Sequence, residues 1–478
     1  MHDFFCLASQ IGSSRVKSAV FDADGHMLSS CYERISFEYA GIRAEADPEL
    51  WSAALLKTMR DAVIKSGSKD IGAICVCSLG PAEIFLDSSL KPLRKSIIWL
   101  DSRAVREAAF LSRASGVHAP PSFTAPVSMW LRDNEPEIFK KTAYVMQPLD
   151  YAALILTGIP SFSMLAETFT PFSKKQWDAA SLSEELIPSK IRTGERIGGL
   201  SAGAATLIGI PSGIPVYAGT GGADVAETIL GTGCLEPHIA GDKTGTSEGI
   251  EIISNERIPD SRFFVAPHPF LNGSWHAGAA MSSGGGTLDW FRRAFYGDSF
   301  RFESMISDAS LSAPGCGGLV FLPYIAGERC PVADPDARGV FFGVSRMHER
   351  HDMLRAVMEG VAYQIREVLD IFASHGVRPS VIRASGLPSS IGVWNRIKAD
   401  ITGLPVQPAL CLEPDLLGIV SIAAKGAGLF ASFKEASGHM SKFGPAVEPS
   451  DEHRAEYDRN YRVYRELYPS LKSLFAGR

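Results

Sequence analysis

Asp224 is the residue in this sequence best placed to take a proton. It follows an apolar run at residues 214–218, which reads as a short buried strand, and a glycine turn, Gly219-Thr220-Gly221-Gly222. It opens a segment with helical spacing, in which Val225, Thr228 and Ile229 share one side. A strand, a glycine turn and a helix with one carboxylate in its first turn is how a parallel α/β sheet presents a reactive acid. Nearby helix N–H groups favour the ionised carboxylate. The same position also suits a plain N-cap, the commoner role of Asp at a helix start. Two other segments carry a different chemistry. Gly245-Thr246-Ser247 and Gly12-Ser13-Ser14 each set two hydroxyls after a glycine, between β-rich runs. Backbone N–H groups in such a turn, with hydroxyls beside them, make a concavity suited to phosphate, although Gly-Thr-Ser is also common in ordinary turns. One such hairpin opens each half of the chain. Facing one another, the two could grip a polyphosphate, and the echo suggests duplication of one α/β unit.

These residues need a scaffold, and the pattern along the chain supplies one. A strand beginning at Phe4, the turn at 12–14, a second strand, the turn Asp22-Ala23-Asp24-Gly25 and a third strand form a meander. Asp47-Pro48 starts a helix whose apolar face is expected at Leu50, Leu55, Met59 and Val63, with Gly67 stopping it. Residues 71–78, 84–87 and 97–100 read as strands. Asp101 and Arg103 then fall at a strand's carboxyl end, where α/β sheets bind ligands; a surface ion pair accounts for them equally well. The second half repeats the alternation. A glycine turn at 282–287 precedes a helix, Asp352 is expected to cap a long helix through His375, and a strand at 381–384 ends at Gly386. Helices are predicted over 393–402 and 416–426. Tyr457, Tyr461, Tyr464 and Tyr468 lie on one helical stripe that reads as packing.

Composition bounds the function. A length of 478 residues exceeds one typical core, so two domains are expected. Apolar content of 45% with 21% charged residues suits a globular enzyme, and a net charge of −6 argues against a nucleic-acid binder. No apolar run reaches membrane-spanning length, and no basic, apolar leader opens the sequence. The eight cysteines are scattered, and Cys75 and Cys77 alternate along an apolar strand, which favours burial over metal or disulfide. A reducing cytoplasm fits these features. The turn at Gly12 offers no G-x-G-x-x-G, so a dinucleotide dehydrogenase is poorly supported. The sequence leaves a homodimer open.

Several segments together resemble the FGGY carbohydrate kinases, a family that includes xylulokinase, gluconokinase and glycerol kinase. They are the Gly12-Ser13-Ser14 hairpin, the run from Pro92 to Ala104 with Trp99, Asp101 and Arg103, the stretch 214–224, Gly245-Thr246-Ser247, 321–331, 358–363, 383–386 and 394–406. The likeness spans nearly the whole chain. It implies an α/β fold of two ribonuclease-H-like (actin/hexokinase-type) lobes with an interlobe active-site cleft. Residues 1–238 would form the sugar-binding side with the first phosphate hairpin, and 239–478 the nucleotide-binding side with the second. It implies transfer of the γ-phosphoryl of ATP, with Mg2+, to a hydroxyl of a sugar, ketose or polyol. Asp224 falls on the catalytic base, which takes the hydroxyl proton as the new bond forms. Gly12, Ser13, Ser14, Lys17, Gly245, Thr246, Ser247, Gly386 and Leu387 fall on the nucleotide and phosphate positions. Leu79, Gly80, Trp99, Asp101, Arg103 and Asp224 fall on the substrate side, and Gln10 and Asp224 on the metal positions.

The sequence also departs from the family. The acid of its usual D-x-G-T-T is the neutral Gln10, which cannot replace a carboxylate's charge near a metal. The second glycine of its S-G-G is Leu387, and the xylulokinase-type Q-M-H-G is replaced by Leu79-Gly80-Pro81-Ala82. These changes imply a second outcome: a family member that binds a sugar or partner without efficient phosphoryl transfer.

Overall fold

The computed structural model describes residues 4–165 and 169–476. The chain forms two compact units, Met1–Gly233 with Pro414–Met440, and Cys234–Glu413 with Ser441–Arg478. These units differ from the contiguous division into 1–238 and 239–478 at two points: residues 234–238 fall with the second unit and residues 414–440 with the first. For residues 414–440, packing is the reason. A Cβ added to Gly231 would lie 1.7 Å from the carbonyl oxygen of Pro414, and one added to Gly418 would lie 1.9 Å from that of Glu227. The helices Asp224–Gly231 and Pro414–Gly426 thus meet backbone to backbone, a contact between segments far apart in sequence that a reading in chain order does not reveal.

The first unit is built on a six-stranded sheet in the order Arg196–Gly199, Pro215–Tyr217, Ile71–Ser78, Phe5–Ile11, Arg15–Asp22, Met27–Arg34. The last three form the expected antiparallel meander, and Ile71–Ser78 and Pro215–Tyr217 continue parallel to Phe5–Ile11. The second unit repeats this plan: Phe264–Pro267, Trp275–Met281, Glu248–Ser254 and Ile239–Thr244 are antiparallel, and Val381–Ser385 and Val406–Pro408 continue in parallel. Each unit is thus a ribonuclease-H-like α/β fold, and the duplication read from the two hairpins extends to the sheets. In both, the strand that leads into the Gly-hydroxyl-hydroxyl turn is an interior one, so the turn is held by paired strands on either side. A second sheet in the first unit, Glu38–Ala40, Arg43–Ala46, Ser96–Ile98, Ala82–Leu86 and Tyr144–Met146, carries the Trp99–Arg103 segment at the carboxyl end of its central strand.

The interior strands are buried on both faces, and the first unit holds a second core besides the one under its main sheet, with Phe85, Leu131, Phe162 and Trp177 at its centre. Leu7, Val20, Leu55, Ile74 and Val216 lie in the main core of the first unit, and Ile250, Phe291, Met358, Ile382 and Trp394 in the core of the second unit. Asp47 caps the helix Pro48–Ser66, and Gly67 ends it. Leu50, expected on its apolar face, is 54% exposed. Leu50 and Leu55 are five residues apart, about 140° around a helix, whereas Trp51 stands one turn from Leu55 and takes the buried position. The helix Arg350–Ser374 starts before the expected cap: Glu349 is the N-cap, and Asp352 accepts the Glu349 backbone N–H at 2.8 Å as the third residue of a capping box. Tyr457, Tyr461 and Tyr464 are buried in the core of the second unit, as the stripe predicts. None of the eight cysteines is joined in a disulfide, and Cys75 and Cys77 are fully buried. Among the described residues, no helix is long and apolar enough to cross a membrane.

Candidate active site

Asp224 occupies the first position of the helix Asp224–Gly231, and Ala223 is the N-cap, so the plain capping role does not apply. Asp224 is exposed, but the rest of this short helix is buried on nearly all sides, and the one-sided face expected from Val225, Thr228 and Ile229 is not what sets it. One turn along, Glu227 is fully buried. Gln10 donates from Nε2 to Glu227 Oε2 at 3.0 Å, and Thr220 donates from Oγ1 to Oε1 at 2.9 Å. Burial, and behind it the negative charges that Cys77, Asp415 and Asp224 can carry, hold the Glu227 carboxyl well above the usual range. Gln10 pairs across the first hairpin with Lys17. Lys17 Nζ lies 3.6 Å from Asp415 Oδ2, and Thr228 Oγ1 donates to Asp415 Oδ1 at 2.6 Å. Gln10, Lys17 and Asp224 therefore belong to one polar cluster. Glu227 and Asp415 complete it.

The first turn has the form needed for an anion. Gly12 N–H closes it onto the carbonyl of Arg15 at 2.9 Å, Ser13 and Ser14 are exposed, and among the described residues their amides donate to no protein acceptor. Leu79 is buried and its N–H binds the carbonyl of Ile11 at 2.7 Å. Gly80 lies flat against the loop before Asp224, where a Cβ would come within 2.3 Å of the carbonyl oxygen of Gly222. The structure thus brings Leu79 and Gly80 to the segment that carries the candidate base.

Asp101 and Arg103 form a buried ion pair rather than a surface one. Arg103 Nη2 donates to Asp101 Oδ2 at 2.7 Å and to Glu45 Oε1 at 2.6 Å, Nε donates to Asp101 Oδ1 at 2.9 Å, and the guanidinium stacks over Trp130 at 4.9 Å. The backbone N–H of Ala44 also donates to Asp101 Oδ2, at 2.7 Å. Trp99 and Leu100 are the outward-facing members of the segment, 44% and 43% exposed. Close by, Glu83 is fully buried and accepts from Thr124 Oγ1 and Gln147 Nε2, both at 3.1 Å, while its Oε2 and Arg103 Nη1 are buried with no partner among the described residues. Burial pushes the Glu83 carboxyl up to about 8, with the Asp101 charge adding to it and the hydrogen bonds from Gln147 and Thr124 opposing.

In the second unit, Gly245, Thr246 and Ser247 form the turn between Ile239–Thr244 and Glu248–Ser254, and all three are exposed. Gly245 N–H binds the carbonyl of Ser247 at 2.9 Å, and Gly286, in the first turn of the helix Gly285–Phe295, binds the carbonyl of Thr246 at 3.0 Å. The amides of Thr246 and Ser247 donate to no protein acceptor among the described residues. Gly386 has φ +87° and backs onto Thr244, and Leu387 after it is 67% exposed. Gly386, Leu387 and the hairpin turn are therefore neighbours.

Sequence reading found both turns and the helix-start acid but missed Glu227, Asp415 and Glu83. Glu227 had a signal, since a second acid three residues after Asp224 stands one turn away on the same helix. Asp415 had none, because only folding brings it to Lys17.

Residues 5–231 match the N-terminal domain, and residues 243–427 the C-terminal domain, of the FGGY family of carbohydrate kinases. The chain is 27% identical to the xylulose kinase of Bacillus subtilis (strain 168), over 98% of each chain. It is 28% identical to the xylulose kinase of Escherichia coli (strain K12), over 98% of this chain and 99% of that one. In fold it is similar to the ligand-bound xylulose kinase of Lactobacillus acidophilus, with a TM-score of 0.83 at 22% identity over 99% of both chains.

Proposed function

The chain belongs to the FGGY family of carbohydrate kinases, and on that footing we propose that it transfers the terminal phosphoryl group of ATP to a hydroxyl of a sugar, ketose or polyol, with Asp224 as general base. A hydroxyl is a weak nucleophile at neutral pH, so a carboxylate within hydrogen-bond reach must take its proton as the new bond forms. The observation that carries the reading is the position of Asp224: an exposed acid at the first residue of a helix, on a unit whose sheet also presents the Gly12-Ser13-Ser14 turn. Positioning and charge neutralisation supply most of phosphoryl-transfer catalysis, and the amides of Ser13, Ser14, Thr246 and Ser247, which have no protein acceptor among the described residues, suit that task.

The donor set also fits a nucleotide and its metal. Mg2+ keeps several waters and is held through one or two carboxylates and phosphate oxygens. Asp224 would offer the exposed carboxylate and Gln10 an amide oxygen, since its NH2 end is turned to Glu227. When bound, the ion would neutralise phosphate charge. Gly12, Ser13, Ser14 and Lys17 would bind phosphate in the first unit; Gly245, Thr246, Ser247, Gly386 and Leu387 would bind the nucleotide in the second. Leu79, Gly80, Trp99, Asp101 and Arg103 would shape the acceptor site, with the buried Asp101–Arg103 pair acting as its frame.

Relatives named xylulose kinase make a ketopentose the first acceptor to try, and the Leu79-Gly80-Pro81-Ala82 segment calls for a wider panel. The test is ADP release with MgATP and a set of ketoses, polyols and sugar acids, against Asp224→Asn. Turnover is expected with at least one acceptor, falling on the order of 10^2- to 10^4-fold in the variant. No acceptor-dependent ADP above the variant would overturn the assignment and leave a binding protein.

A further inference from the structure

Beneath the Gly245-Thr246-Ser247 turn lies a buried ionic cluster that the Asp224 chemistry does not use. Lys398, on the helix Gly392–Thr402, is 1% exposed. Its ammonium donates to Asp242 Oδ2 at 2.5 Å, Glu248 Oε1 at 2.7 Å and Thr244 Oγ1 at 2.9 Å, which uses all three N–H bonds. Asp242 and Thr244 sit on the strand that enters the turn and Glu248 on the strand that leaves it, directly opposite Thr244. The turn residues are the three between these anchors. Thr244 also donates to Glu248 Oε1 at 2.8 Å. Lys398 therefore ties both arms of the hairpin, at their last residues before the turn, to a single point on one helix.

The same cluster touches the turn's other neighbours. Ser385, just before Gly386, donates to the carbonyl of Asp242 at 3.1 Å. Among the described residues Glu248 Oε2 has no hydrogen-bond partner, and it faces Gly284, the N-cap of the helix Gly285–Phe295. Hydrophobic side chains of similar volume would hold the two strands together at least as well as a buried ion pair. What they lack is direction: three charge-assisted hydrogen bonds from one ammonium fix the spacing and register of both strand ends. Burial alone would lower the lysine's pKa, but the carboxylates of Asp242 and Glu248 outweigh it and keep the ammonium charged.

We propose that Lys398 is a positioning residue for nucleotide binding, holding the Gly245-Thr246-Ser247 turn in the geometry that receives phosphate. The inference rests on the assignment of that turn to the nucleotide.

The experiment compares the wild type with Lys398→Met, with Asp242→Asn, and with the triple variant Lys398→Met/Asp242→Leu/Glu248→Leu. Three quantities are read: melting temperature, MgADP affinity by calorimetry, and amide hydrogen exchange across residues 242–250. Lys398→Met strands two buried carboxylates and is expected to lower the melting temperature, whereas the all-apolar triple variant relieves this. Positioning predicts that the triple variant regains stability yet binds MgADP at least tenfold more weakly, exchanges faster in the turn, and raises KM for ATP without raising KM for the acceptor. A triple variant with wild-type stability and wild-type MgADP affinity overturns the proposal. If Lys398→Met is insoluble, the triple variant alone carries the readouts, with Asp242→Asn, which leaves Lys398 bonded to Thr244 and Glu248 and so to both arms, as the control expected to keep MgADP affinity; a tenfold loss in Asp242→Asn equal to that in the triple variant overturns the proposal. Wild-type protein that binds no MgADP would instead refute the nucleotide assignment. Exchange at Gly245–Ser247 would then still report whether Lys398 orders the turn, and unchanged exchange in the variants would end that claim too.

Discussion

A carboxyl group removed from water and given no cation keeps its proton, and Glu83 is in that condition. It is fully buried, its two hydrogen-bond donors are neutral, and its carboxyl is pushed up to about 8. In the unfolded chain the same group titrates near 4.5. Its contribution to stability is therefore complete below that value. It falls between about 4.5 and 8, where the unfolded chain sheds a proton that the fold retains, and is gone above 8. The slope is at most about 1.4 kcal/mol per pH unit. Glu83→Gln removes the titration and little else. The variant should match the wild type near pH 5 and become progressively the more stable of the two toward pH 8, as measured by chemical denaturation at each pH. A difference independent of pH would show that Glu83 is ionised in the fold. The candidate base illustrates how much a residue's type and place in sequence convey. Asp224 was legible because a glycine turn and a helix start flank it. Glu83 was not, because nothing in the run Ala82–Leu86 says that its glutamate points inward.

At the scale of elements, the two hairpins were the most legible part of the chain. A glycine with two hydroxyls between β-rich runs has few other outcomes, and both turns formed where expected. The Gly386 turn was harder to read, since its requirement is tertiary. Gly386 has φ +87°, and a Cβ there would lie 2.1 Å from the carbonyl oxygen of Thr244. Neither strain has an easy relief, because Thr244 is itself pinned by the pairing with Glu248 and by Lys398. Gly386→Ala is expected to cost roughly 2 kcal/mol or more and to weaken MgADP binding. Gly392→Ala is the control, since a Cβ at the start of that helix meets nothing within 4 Å. It should be neutral or slightly stabilising. Equal melting temperatures for the two variants would contradict the close approach at Gly386.

For the molecule as a whole, the division of the chain has a direct consequence. Residues 414–440 supply Asp415 to Lys17 and Thr228, and the helix Pro414–Gly426 covers the helix Asp224–Gly231. A fragment of residues 1–238 should therefore lack a cooperative melt, whereas residues 1–233 joined by a flexible linker to 414–440 should show one. Cooperative unfolding of 1–238 alone would refute the assignment of that segment.

The sequence by itself determined the α/β class, the duplicated plan, the two glycine–hydroxyl turns and the acid at a helix start. All of these are local: strand period, turn chemistry and helix caps act over a few residues and leave their mark in neighbouring letters. Only the tertiary structure decided that Glu227 stands behind Gln10, that Lys398 ties down both arms of the second hairpin, and that a late helix completes the first unit. Buried charges take their meaning from partners that close packing brings together across 150 residues or more of chain, as it does for Lys398 and Glu248. No spacing along the sequence encodes that meeting.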